Sequence, residues 1–355
     1  MTVKPEDLLR EEVLALQAYH VPEAAGFVKL DAMENPYPLP QPVRRRIAEL
    51  AAGAAINRYP DASASALKAR LRESMGVPAM AELLLGNGSD ETIQMLALGI
   101  AKPGAVILGV EPSFVMFRMI AAFVGARFVG VPLRDDFSLD SDAVASAIRA
   151  HRPALVFLAY PNNPSGNLFD RDALTRIIER APGMVVIDEA YHAFAGESFM
   201  PEVPVHDNLL VMRTVSKLGL AGLRLGFAAG SGQWLRQFEK LRLPYNINVL
   251  TQLVAEAVLG ERDVLEAQAA AIRDERAKLA DGLRALPGVN AFPSRANFIL
   301  FRVNDAAGVF ERLKQRKVLI KNLHGSHPLL AGCLRVTVGM PRENEIFLSA
   351  LSDSL

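Results

Sequence analysis

Short apolar runs alternate along this chain with longer stretches whose apolar residues recur at helical spacing, and that alternation predicts an α/β domain with a largely parallel sheet. The runs predict strands over residues 105–110, 127–131, 154–159, 184–188, 209–213 and 224–229, with another near Leu83. Between them, residues 90–100, 140–150 and 170–181 have helical periodicity. Each opens at or beside an aspartate suited to capping the free N–H groups of a first turn. The pattern changes after Pro244. A charged, alanine-rich stretch over 261–286 predicts one extended helix, followed by strands near 297–303 and 333–338 with a helix between them. The expected organisation is an N-terminal arm (1–40) that joins a small α+β domain (261–355), with a large domain (41–260) between the two.

Composition narrows the picture without deciding it. The chain has 355 residues, 50% of them hydrophobic, enough to bury a sizeable core and more than one lobe usually needs. Acidic and basic residues balance at 39 each, which gives no electrostatic reason to expect nucleic acid or an anionic membrane as partner. Cys333 stands alone, so an internal disulfide and a cysteine-only metal site are excluded. The first twelve residues, MTVKPEDLLREE, carry charges where a signal peptide needs an apolar stretch, and no run approaches the roughly 20 apolar residues that span a bilayer. A soluble cytoplasmic protein is expected. His192, His324 and His327 have a spacing that fits no common ligand pattern, so no metal is expected.

In open α/β sheets ligands bind at the carboxyl ends of the strands, and polar residues stand at those ends here. The run RTVSKLGLAGLRLG (213–226) places Lys217 after Ser216 and seven residues before Arg224. An amine beside a guanidinium suits a phosphorylated aldehyde, the lysine condensing with the aldehyde as a Schiff base while the arginine's fork grips the phosphate. A Ser-Lys pair followed by an arginine is also common surface decoration. The apolar run over 184–188 ends in Asp188 and continues to Tyr191. A carboxylate at the tip of a buried strand needs a cation, either a protonated ring nitrogen or a local arginine. YPNNPSG (160–166) fixes Asn163 in a turn from which it can donate to the phenolic oxygen that Tyr191 also reaches. GNGSDE (86–91), before a helix, offers the backbone N–H groups of Ser89 and Asp90 to an anion.

These motifs occur in order with LDAMENPY (30–37), RYPD (58–61), SRANF (294–298) and LRVTVG (334–339), and together they resemble the histidinol-phosphate aminotransferases, fold type I pyridoxal-phosphate enzymes, over about residues 19–344. The resemblance implies a large domain with a mostly parallel seven-stranded sheet and a smaller α+β domain. It implies pyridoxal 5′-phosphate bound covalently to Lys217, with Asp188 on the pyridine nitrogen and Asn163 and Tyr191 on the phenolic oxygen. Ser89, Asp90, Ser216 and Arg224 would hold the cofactor phosphate, Phe114 would stack on the ring, and Tyr59 would reach the phosphate from the other subunit of a homodimer. Arg335 would bind the α-carboxylate of glutamate, Asn297 would help position substrate, and Tyr19 would pack on the imidazole of L-histidinol phosphate. The implied reaction exchanges an amino group between L-histidinol phosphate and 2-oxoglutarate in histidine biosynthesis, with ping-pong kinetics.

The chain departs from the family pattern at three places. Met33 sits where many relatives have asparagine, and the interval from Lys217 to Arg224 is one residue shorter than in several relatives. Within residues 318–323, where an arginine for the substrate phosphate is expected, the cation is Lys321, a point charge without bidentate geometry. An aromatic or broad-specificity aminotransferase, or a threonine-phosphate decarboxylase, would carry the same cofactor residues. A cofactor-sensing regulator would need a DNA-binding module, for which the segment before Leu30 is too short and too acidic.

Overall fold

Strand-forming runs here are apolar throughout because helices cover both faces of the sheet they build. The computed structural model describes residues 3–18 and 22–355. Among these the strands are β1 (Val28–Lys29), β2 (Glu82–Gly86), β3 (Val106–Glu111), β4 (Arg127–Pro132), β5 (Leu155–Ala159), β6 (Met184–Asp188), β7 (Leu209–Thr214), β8 (Gly226–Gly230), β9 (Asn290–Ala291), β10 (Phe298–Arg302), β11 (Val318–Leu319), β12 (Lys321–Asn322) and β13 (Cys333–Thr337). The large sheet has seven strands in the order β2-β8-β7-β6-β5-β3-β4. Its centre is parallel; only β8 runs against its neighbours β2 and β7.

Alternation along each strand splits the large-domain core into two layers. Val156, Leu158, Val185 and Ile187 pack on one face with Leu174, Ile178 and Val258. Phe157, Val186, Leu210 and Met212 pack on the other with Ile93, Leu96 and Phe117. Each such side chain contributes about 1.5–3 kcal/mol on burial. Phe157 stacks on Phe117 with centroids 4.7 Å apart, and truncating it to alanine would cost about 3–5 kcal/mol.

Two of the three capping aspartates act as expected. Asp140 accepts from the Ala143 N–H at 3.0 Å and Asp170 from the Ala173 N–H at 2.8 Å, opening the helices Ser141–His151 and Arg171–Arg180. Asp90 instead lies inside the first turn of the Ser89–Ile100 helix, whose N-cap is Gly88 and carries no side-chain cap. The strand expected over 224–229 begins at Gly226, because Arg224 adopts a left-handed backbone (φ 50°) that no strand residue takes up.

The C-terminal part builds a four-stranded antiparallel sheet, β12-β13-β10-β9, under the 24-residue helix Arg262–Ala285. That helix, about 36 Å long, sets Ile272, Leu279 and Leu283 against Phe298, Phe301 and Phe347. The arm is sewn to this unit. β1 pairs in parallel with β11, the Leu30 N–H donates to the Leu319 carbonyl at 2.8 Å, and the Thr337 N–H donates to the Leu30 carbonyl at 2.8 Å. No helix among the described residues is long and apolar enough to cross a membrane.

Candidate active site

The carboxyl ends of β5, β6 and β7 open into a cavity of about 110 Å³, lined by Met33, Ser89, Asp90, Phe114, Asn163, Asp188, Tyr191, Ser216, Lys217 and Arg224 among others. Parallel register brings Asp188 alongside Met212 of β7, two residues before the chain leaves the sheet for the turn that carries Lys217. Asp188 is 4% exposed and accepts from the Ala190 N–H at 3.0 Å. Among the described residues it forms no ion pair with arginine or lysine, and burial pushes its carboxyl up to about 7. The local arginine, Arg213, is engaged by Glu189 instead. Lys217 is held down to about 8 by burial first and by the Arg335 charge second. Its Nζ donates to the Ala32 carbonyl at 3.3 Å and lies 5.8 Å from the centre of the Tyr191 ring.

The opposite end of the cavity is an anion cradle. Ser89 begins a helix whose first N–H groups have no intrahelical acceptor. A Cβ on Gly226 would stand 2.5 Å from the Ser89 nitrogen, so glycine is what lets these two backbones approach, and Gly88 takes a φ of 90° that favours glycine. The shortened interval after Lys217 is accommodated by two 3₁₀ turns, Ser216–Leu218 and Ala221–Leu223, with left-handed backbone at Gly219 and Arg224. That conformation costs an arginine about 1–2 kcal/mol. It turns the guanidinium toward the cradle, where Nη2 stands 3.5 Å from Asp90 Oδ2 in a half-exposed pair of little strength. Ser216 is buried and bonded through Thr214 Oγ1 at 2.9 Å.

On the third side the small domain and the arm close over Tyr191. Asn163 Nδ2 donates to Tyr191 Oη at 3.2 Å, and Tyr191 Oη donates to Met33 Sδ at 3.1 Å. Arg335, 6% exposed, donates to Asn163 Oδ1 at 2.7 Å and to the Asp31 carbonyl at 3.1 Å. A cationic ring nitrogen at Asp188, a carbonyl carbon at Lys217 and an anion at the Ser89–Arg224 cradle describe one elongated ligand, and the residues present fit a phosphorylated pyridine aldehyde.

Of the remaining expected residues, Lys321, Asn297 and Tyr59 do not line this cavity. Lys321 lies directly across from Arg335 in the antiparallel pairing of β12 with β13. Asn297 is fully buried, with Nδ2 on the carbonyls of Met33 (2.9 Å) and Glu34 (3.4 Å), so its amide holds the arm. Tyr59 is 80% exposed and stacks on Tyr245 at 4.3 Å. Tyr19 falls outside the described residues. Among the described residues no cluster of histidine, cysteine and carboxylates could hold a metal, and burial holds the His192 imidazole far below its usual pKa. A larger cleft of about 890 Å³ beside His192 and the long helix shares none of these groups. Sequence reasoning missed the contact of Met33 with Tyr191 and the buried Glu189–Arg213 pair. Neither has a local signal, since both depend on which distant strands and turns become neighbours.

A family model for aminotransferase class I and II matches residues 25–351. The chain is 55% identical over 353 residues to histidinol-phosphate aminotransferase 1 of Ralstonia nicotianae, covering 98% of this chain and 94% of that protein. It is 56% identical over 352 residues to histidinol-phosphate aminotransferase 2 of Burkholderia pseudomallei, covering 99% of each. Among solved structures, histidinol-phosphate aminotransferase from Sinorhizobium meliloti in complex with pyridoxal-5′-phosphate superimposes with a TM-score of 0.88 over 98% of this chain and 97% of that one; at 23% identity this likeness bears on the fold. Full-length similarity and a seven-stranded sheet with a polar cavity at its strand ends agree: the chain belongs to the class I and II aminotransferases, among the histidinol-phosphate aminotransferases.

Proposed function

We propose that this protein exchanges an amino group between L-histidinol phosphate and 2-oxoglutarate, using pyridoxal 5′-phosphate, in L-histidine biosynthesis. The observation that carries the chemistry is the buried Asp188, without an ion-pair partner among the described residues, in one cavity with the amine of Lys217. The substrate rests on full-length identity above 50% to relatives named for it. When bound, the cofactor supplies an aldehyde for an amine and a ring that takes up electrons from the bond breaking at the substrate α-carbon. Asp188 holds the ring nitrogen cationic, giving up its own proton to do so. Ser89, Asp90 (through its backbone), Ser216 and Arg224 grip the phosphate, Phe114 packs on the ring, and Asn163 and Tyr191 donate to the phenolic oxygen.

Lys217 Nζ is the group that moves a proton at the substrate α-carbon. A pKa of about 8 leaves an appreciable neutral fraction near pH 7 and above, where a free lysine has almost none. Arg335 receives the glutamate carboxylate, and its bond to Asn163 links substrate binding to the ring's oxygen. Asn297 positions substrate indirectly, by fixing the arm at Met33. Lys321 takes the substrate phosphate and Tyr19 packs on the imidazole. Tyr59, exposed on its own chain, reaches the phosphate of a second copy, so the working form is a cytoplasmic homodimer. The functional division follows an arm over 1–40, a cofactor domain over 41–260 and a substrate-closing domain over 261–355.

The test is a titration of cofactor-loaded protein with L-histidinol phosphate, following the bound cofactor's visible band. Bleaching at low substrate, a weak response to phenylalanine and no release of carbon dioxide are expected. An equal response to phenylalanine would make the protein a broad-specificity aminotransferase, and carbon dioxide release from added L-threonine phosphate, which unlike L-histidinol phosphate carries a carboxylate, would make it a decarboxylase.

A further inference from the structure

Behind the cavity lies a buried ion pair that the proposed reaction leaves unused. Neighbours at a strand end turn to opposite faces, so Asp188 looks into the cavity while Glu189 looks away from it. Glu189 is fully buried, and one of its oxygens accepts from both Nε (2.9 Å) and Nη2 (2.7 Å) of Arg213, itself 5% exposed. Ser198 donates to the same carboxylate at 2.9 Å, and Arg213 Nη1 donates to the Met75 carbonyl at 2.6 Å. The end of β6, the end of β7, the turn at Ser198 and the end of the Ser65–Ser74 helix therefore meet at one guanidinium.

Two features tie this pair to the cavity. Glu189 directly follows Asp188 and its N–H donates to the Met212 carbonyl at 2.8 Å, while Arg213 lies on the strand that leads to Lys217. The second is charge. Asp188 and Glu189 are consecutive buried carboxyls, and in a site of low dielectric a second negative charge opposes ionisation of the first. A guanidinium donating twice to Glu189 offsets part of that opposition, some of which Asp188 still feels.

The other groups nearby leave this balance to Arg213. Asp90 and Lys217 face Asp188 with opposite charges. Around Glu189 stand the His192 imidazole, kept neutral by burial, and Tyr160, whose hydroxyl donates to Glu197 at 2.8 Å with Arg171 beyond. From the long helix, Arg262, Asp263, Glu266 and Arg273 line the cleft beside Arg213, two of each sign.

We propose that Arg213 is a positioning residue for the cofactor: by neutralising Glu189 on the far face of β6, it keeps the Asp188 carboxylate available to a cationic ring nitrogen. This rests on the cavity being a pyridoxal-phosphate site. Without the guanidinium the Glu189 charge opposes ionisation of Asp188 more strongly, and the proton on Asp188 must leave when that carboxylate pairs with the ring.

The experiment is equilibrium titration of cofactor-free protein with pyridoxal 5′-phosphate between pH 6 and 9, for the wild type, Arg213→Gln, Arg213→Lys and the neutral double variant Glu189→Gln/Arg213→Gln. Arg213→Gln is expected to bind at least about tenfold more weakly at pH 7 and to recover as pH rises toward 9. Arg213→Lys, which keeps the charge, and the double variant, which removes both charges, are expected to follow the wild-type pH profile. An affinity in Arg213→Gln equal to the wild type, or a loss independent of pH, would overturn the proposal. Should Arg213→Gln fail to fold, the other two variants decide: wild-type profiles support the proposal, and in either of them a loss that pH relieves overturns it. A wild type that does not take up the cofactor sinks the reading of the cavity instead.

Discussion

The two sides of the cavity are built on different principles. The cofactor side stands on the ends of parallel strands whose side chains are buried on both faces, so Asp188, Asn163, Ser216 and Lys217 are fixed by the same packing that holds the sheet. The substrate side is assembled from pieces distant in sequence: Ala32 and Met33 of the arm, Arg335 of β13 and the amide of Asn297 that pins the arm in place. One side is held by the packing of the sheet and the other by a few hydrogen bonds between segments far apart in the chain. A residue on the first side should fail by losing chemistry, whereas one on the second should fail by losing a particular substrate.

The largest effect belongs to Lys217. Lys217→Ala is expected to lower turnover by at least about 10⁴-fold, because it removes the amine proposed both to bond the aldehyde and to move the proton. Cofactor should remain bound but should not be fixed to the chain by borohydride reduction, as mass spectrometry of the intact chain would read. Activity within tenfold of the wild type would remove the contrast between the two sides altogether.

Asp188 comes next, and it also makes the contrast a matter of pH. Asp188→Asn is expected to lower kcat by about 100- to 1,000-fold, the usual cost of one preorganised charge. In the cofactor-free protein the Asp188 pKa is raised from 3.8 to about 7. Its contribution to stability is therefore fully present below pH 4 and is lost as pH rises through 7. Lys217, lowered from 10.5 to about 8, has the opposite sign: its contribution is present above pH 10.5 and is lost as pH falls through 8. Melting curves at pH 5 and pH 8 should show a larger fall in Tm for the cofactor-free wild type than for Asp188→Asn, and bound cofactor should reduce the difference. Identical falls in both would mean that burial does not hold the proton on Asp188.

On the substrate side, Arg335→Ala is expected to raise KM for glutamate by about 100-fold while leaving cofactor affinity within about threefold. The split matters because Arg335 also donates to Asn163 at 2.7 Å, which carries part of any loss to the ring. Cofactor affinity falling as far as glutamate affinity would place Arg335 on the cofactor side.

The same division governs what the sequence disclosed. Asp188 was legible because it ends an apolar run, and Lys217 and Asn163 because they stand in short polar turns a few residues past such runs, which are local signals. Arg224 was read as a phosphate ligand and placed in a strand, whereas its left-handed backbone, which follows from how the loop closes between β7 and β8, keeps it out of the sheet. The antiparallel course of β8, the Tyr191–Met33 contact and the Glu189–Arg213 pair were hidden for a common reason. Each is a register between segments far apart in the chain, and local hydrophobic periodicity carries no information about it. Asn297 was recognised as a member of its motif, yet its buried amide faces the arm and not the cavity.

Lys321 gives the smallest and most discriminating effect. It sits across from Arg335 in the β12–β13 ladder, and direct cross-strand partners project from the same face of a sheet. Two cations side by side there suit two substrates that arrive in turn, glutamate with its carboxylate and histidinol phosphate with its phosphate. A lysine meets a phosphate as a point charge and gives up the paired bonds an arginine would make. Lys321→Ala is therefore expected to raise KM for L-histidinol phosphate about three- to tenfold and Lys321→Arg to lower it, with KM for glutamate unchanged in both. Steady-state kinetics with each substrate varied separately measures the split. Equal changes for both substrates would mean that Lys321 acts through Arg335, and no change for either would leave the phosphate to a residue of the partner subunit.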